Sequence, residues 1–197
     1  MRVSKHIAFL LCCIAVAVPA CTAVTPAGLI AASRLDPLSA PADEIAVALG
    51  VPQSVRLGPG DAVLRIAFRG GAAASTVQIE EEVPLQIAAQ PDGAIAPNSP
   101  DERVFIASLG PEDAARFSAA QRAIQLARAQ GVEGKGTLTA EVVDGCLTAP
   151  LAAEFPISTW LRSSGDGRFV PLTRQIDAFQ SLGPEGATAL RSRLAPC

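Results

Sequence analysis

The side chains that do chemistry are sparse in this 197-residue sequence. Glu80-Glu81-Glu82 is the densest acidic run. In a strand Glu80 and Glu82 share one face and Glu81 takes the other. Calcium needs roughly six to eight oxygens, and no Asp-x-Asp-x-Asp-Gly loop is present to supply them. The run therefore reads as a solvated edge or bulge, whose charges deter edge pairing. Lys135 stands in GVEGKGT. A phosphate loop needs Ser or Thr after the lysine, between a strand and a helix. Here Gly136 follows it, and the segment reads as a helix stop and strand entry. Asp144-Gly145 and Asp166-Gly167 read as turns. No Gly-x-Ser-x-Gly elbow and no Ser-x-x-Lys occurs. A carboxylate-only glycosidase needs two acids that meet, and sugar sites favour aromatic platforms. The sequence offers one tryptophan, Trp160, in a predicted strand where core is the default.

The N-terminus says more about location than about reaction. Arg2 and Lys5 precede an apolar run from Ile7 to Val18. Twelve residues fall short of the ~20 that a helix needs to cross a bilayer. A positive start, a short apolar core and a small residue before a cut describe a secretory signal peptide. Cys12 and Cys13 lie inside that core, where thiols behave as small hydrophobes. Val18-Pro19-Ala20-Cys21 resembles the lipobox of bacterial lipoproteins, with Pro19 departing from the usual small or polar residue. The resemblance covers only about the first 21 residues. It implies that Cys21 carries a diacylglyceryl thioether, becomes the new N-terminus and is acylated on its amine. Acyl chains contribute ~0.8 kcal/mol per buried CH₂, so several together anchor stably. Thr22, rather than an aspartate, follows Cys21; by resemblance to Gram-negative lipoproteins this implies the outer membrane, facing the periplasm. The alternative is ordinary cleavage after Ala20, giving a soluble periplasmic or secreted protein.

Cleavage would remove His6, the single histidine of the chain. A mature chain of 177 residues would then hold no histidine and no tyrosine, and one lysine, Lys135. Ser-His-Asp and Cys-His mechanisms are excluded there, as are histidine-based zinc and iron sites. The expectation is no catalytic, metal or cofactor residues. Net charge is −3 for the full chain and −5 without Arg2 and Lys5. No basic patch exists to neutralise phosphates, which argues against nucleic acid as a partner. Three cysteines remain after the cut: Cys21, Cys146 and Cys197. With Cys21 lipidated, Cys146 and Cys197 form an even pair, and in an exported chain they read as one disulfide.

Organisation follows from composition. Residues 21–42 are rich in Ala, Pro and Ser and read as a tether. Residues 43–197 form one predicted domain. Alternating runs predict strands in EIAVALGV, AVLRIAFRGG, STVQIEEEVPLQI, RVFIASL and GKGTLTAEVVDGCL. FPISTWLRSSGDGRFVPLT reads as a hairpin with arms Pro156–Arg162 and Arg168–Thr173. One clear helix spans Pro111–Gln130: Pro111 suits its first position, Glu112 and Asp113 its positive end, and Gly131 its stop. Ala114, Phe117, Ala120, Ile124 and Ala127 share a face that should cover a sheet, while Leu126 points away. The last stretch mixes a short helix with loop. The predicted fold is mainly β: an antiparallel β-sandwich of about seven strands, with one inserted helix and a C-terminal disulfide. The alternative is an α+β fold with the helix on one face of an antiparallel sheet.

The expected function is a membrane-anchored envelope lipoprotein acting as a non-enzymatic binding or structural module, with an envelope protein as partner. The alternative is a carboxylate-based enzyme or small-ligand carrier.

Overall fold

The computed structural model describes residues 38–72, 75–89, 95–165 and 167–197. Cys21, the predicted signal and most of the predicted tether lie outside them. The described chain opens with a single 3-10 turn, Ala42–Glu44, and then alternates short strands with turns. The strands are β1 (Ala46–Pro52), β2 (Val55–Arg56), β3 (Ala62–Ala72), β4 (Ser75–Ala89) and β5 (Glu102–Leu109). Helix α1 (Pro111–Ala129) follows, then β6 (Gly134–Val142), β7 (Gly145–Leu147), β8 (Pro156–Arg162), β9 (Val170–Asp177), α2 (Ala178–Arg193) and β10 (Leu194–Pro196).

Seven strands form one curled antiparallel sheet in the order β6-β3-β4-β5-β1-β8-β9. The other three form a small sheet, β10-β7-β2. The fold is thus mainly β, with seven antiparallel strands, a second sheet, an inserted helix and a C-terminal disulfide, as the sequence predicts. Alternation sets which face is which. Leu64, Ile66 and Phe68 of β3 point inward with Val83 and Leu85 of β4, and with Val47, Leu49 and Val51 of β1. Val55 of β2 and Leu194 of β10 join the same core, so both sheets share it.

Helix α1 covers the inner face of β3, β4 and β5. All five residues of its predicted apolar face are buried, with Phe117 and Ile124 fully so. Burial of each large side chain of that kind is worth roughly 1.5–3 kcal/mol. Pro111 occupies the first turn, Glu112 and Asp113 lie beside it, and the helix ends one residue earlier than expected, at Ala129. Leu126 is 60% exposed. On the same helix Gln121 and Gln125 donate to the carbonyls of Ala40 and Leu38, which holds the incoming chain along one helical stripe.

Three local features differ from the expectation. The stretch GKGTLTAEVVDGCL is two strands, not one. Gly145 adopts φ 151°, and the chain turns there so that β6 joins the large sheet and β7 the small one. The second arm of the hairpin runs to Asp177 and is irregular, with register shifts on either side of the Thr159–Thr173 pair. The C-terminal stretch is more helical than expected: α2 contains a kink at Gly183 (φ 70°) before Pro184. Pro184 has no N–H to continue the first segment, and Gly183 supplies the positive φ.

Cys146 and Cys197 are bonded to each other, with Cα atoms 4.9 Å apart and a sequence separation of 51. β10 lies parallel to β7, pairing Ala195 with Cys146, and Cys197 donates its N–H to Leu147. Closing a loop of that length stabilises by about 4 kcal/mol in the chain-entropy model.

Candidate functional site

The sheet curls without closing, and its two end strands, β6 and β9, flank an open seam. The direction of each peptide group in β6 follows from its pairing with β3. Val143 donates to Asp61, and Gly71 donates to Glu133. Both pairs continue the β3–β6 register. Hydrogen-bonded pairs alternate along an antiparallel ladder. Lys135, Thr137, Thr139 and Glu141 therefore bond to β3. Gly134, Gly136, Leu138, Ala140 and Val142 aim their N–H and C=O groups into the seam.

The same residues place their side chains on the core side. Leu138, Ala140 and Val142 form one wall of an apolar cleft of about 380 Å³. Ile157 of β8 and Leu172 and Ile176 of β9 form the other wall. Leu182, at the end of the first segment of α2, closes one end and is 43% exposed. Asp177 positions that segment: its carboxylate accepts from the N–H of Phe179 as an N-cap and also from the N–H of Phe155. Thr139, Glu141 and the hydroxyl pair Thr159–Thr173 supply the polar groups at the rim.

The two edges of the seam are unlike. β9 carries Pro171, which has no N–H, and the register shifts bend it. Such features blunt an edge against pairing. β6 has neither proline nor bulge, and Gly134 to Thr137 are exposed.

On the solvent face of β6, β3 and β4 lies a field of charges. Arg65 pairs with Glu80, and its guanidinium holds the Glu80 carboxyl below the usual carboxylate range by hydrogen bonding and attraction. Glu81 points to the opposite face and bonds Arg116 of α1, as alternation requires. From Ser75 to Pro84 β4 pairs only with β3, because β5 begins its pairing at Leu85. The acidic run thus sits on a one-sided edge, as expected. Lys135 lies across from Arg69, a like charge.

Trp160 is buried in a second small cluster with Ala48, Ile95 and Val104, on the other face of the sheet from the main core. Beside it Glu102 is buried, accepting from Gln175 and from the Asn98 N–H. Ser158 accepts from the Gln175 N–H. Among the described residues no group of three or more metal-ligating side chains is placed to hold an ion, and no helix is long and apolar enough to cross a membrane.

The seam residues were not singled out from the sequence. Their signal is present in Thr137 to Val142, where Leu138, Ala140 and Val142 alternate with Thr137, Thr139 and Glu141. What brings β9 and α2 opposite them is sheet order, which alternation does not encode. Comparison with protein-family models, with curated proteins and with solved structures finds no match to this chain.

Proposed function

We propose that this protein is an envelope lipoprotein, held to the membrane through Cys21, that acts as a non-enzymatic binding module. The apolar seam between β6 and β9 carries the reading. A concave apolar surface beside a free strand edge is suited to holding a partner by main-chain hydrogen bonds and side-chain packing. The lining of the cleft is mainly apolar, which supports a binding role over a reactive one. The lipobox resemblance and the Cys146–Cys197 disulfide support an exported location.

The cleft volume also favours a second reading, a carrier of a small apolar ligand, since such sites span roughly 300–1,000 Å³. Two measurements separate the readings and test the anchor. Cys21→Ser should move the protein from the membrane fraction to the soluble fraction; unchanged partition contradicts the anchor. Native mass spectrometry of the protein extracted from its membranes should show no retained small molecule; a stoichiometric apolar adduct favours the carrier.

A further inference from the structure

The residues that face the seam from β6 are arranged to fit themselves. Consider a second β6 laid antiparallel to the first about a two-fold axis at Leu138. Leu138 then meets the partner's Leu138, Gly136 meets the partner's Ala140, and Gly134 meets the partner's Val142. Every residue whose N–H and C=O point outward is matched with another that also points outward, which is the condition for a hydrogen-bonded antiparallel ladder.

The intervening residues face solvent, and they too are complementary. Lys135 falls opposite the partner's Glu141, and Thr137 opposite the partner's Thr139. Opposite charges and threonine pairs are favourable across strands. Within its own chain Lys135 faces Arg69, an unfavourable neighbour. The ion pairs among the described residues join Arg65 to Glu80 and Arg116 to Glu81 and Asp113, leaving Lys135 and Glu141 outside them. Sliding the register by two residues separates Lys135 from the partner's Glu141, so the charges select one register. The half of the partner strand that enters the cleft brings glycines opposite Ala140 and Val142, adding no side-chain bulk where β9 and α2 stand close. β9 offers no equivalent edge, because of Pro171 and its register shifts.

We propose that the free edge of β6 pairs with β6 of a second copy of this chain, giving an isologous two-fold dimer joined by a continuous sheet. The dimer deepens the reading of the seam as a binding surface and rests on it.

The test uses the full chain in its own membranes. Leu138→Cys places one thiol on the two-fold axis, where hydrogen-bonded neighbours lie at about 5.5 Å between Cα atoms, within disulfide reach. Mild oxidation should yield a species of twice the chain mass on a non-reducing gel. Leu126→Cys, on the exposed face of α1, should not. Lys135→Glu and Glu141→Lys, each added to Leu138→Cys, should lower the crosslinked fraction by about tenfold, and the two together should restore it. Lys135→Glu also gives Arg69 an opposite charge, so this variant should melt no lower than the parent. A double-mass species indifferent to both charge reversals overturns the proposed pairing. Crosslinking of Leu138→Cys to a different protein overturns the second copy as occupant and leaves the seam a binding surface. No crosslink of any kind overturns both.

Discussion

Glu102 is the residue whose placement runs most against its chemistry. It begins β5 and is 4% exposed. A buried carboxylate needs partners, and Glu102 has the Gln175 side chain at 2.8 Å and the Asn98 N–H. Gly50 makes the room: a Cβ there would collide with the Glu102 carboxylate. Gln175 reaches it from a backbone at φ 50°, an uncommon conformation for a residue with a side chain. The same residue donates its N–H to Ser158. These contacts tie irregular β9 across β8 and β1 to β5. Gly50→Ala should therefore destabilise the fold by about 1–3 kcal/mol, as overpacking in a filled interior does. Urea unfolding measures it, and an unchanged midpoint contradicts the packing described. None of this was legible in the sequence, where an acid before Arg103 reads as solvent-facing. The cysteine pair was legible, because parity needs only a count and a compartment.

At the scale of elements, local periodicity was the reliable signal. Helix α1 announced its start through Pro111, its end through Gly131 and its buried face through a 3.6-residue spacing. The strand alternation in β3 and β4 was equally plain, since each pairs over ten positions and buries one face. Two elements were misjudged for identifiable reasons. The turn at Val143–Asp144 carries no proline, so β6 and β7 read as one strand. Gly183-Pro184 reads as a stop, yet the chain resumes a helix after it. The energetic consequence of the α1 assignment is specific. Phe117→Ala should cost about 3–5 kcal/mol, as for a fully buried aromatic. Leu126→Ala, on the exposed face, should stay within about 0.5 kcal/mol. Thermal or urea unfolding of the pair tests the orientation, and equal losses contradict it.

The order of strands gives the whole molecule its character. β6 and β9 are separated in sequence by β7 and β8, yet they end as the two lips of one seam because the sheet starts and finishes with them. Closure would bury both edges. Leaving it open exposes Leu138, Ala140, Leu172 and Ile176 in part and keeps the peptide groups of β6 free to bond. An apolar cleft beside a free edge has a cost in solubility and in pairing specificity. The unequal edges limit that cost: Pro171 and register shifts blunt β9, while β6 stays regular. Anchoring through Cys21 would bring a binding surface of this kind to other molecules of the envelope. The domain acts, on this account, through its shape at the seam.

The seam can be interrogated in intact cells. A photoreactive side chain placed at Leu182, at the end of the cleft, should crosslink to a protein partner in one discrete product, whereas the same group at Leu126 on the exposed face of α1 should not. Equal or absent crosslinking from both positions contradicts the seam as the binding surface.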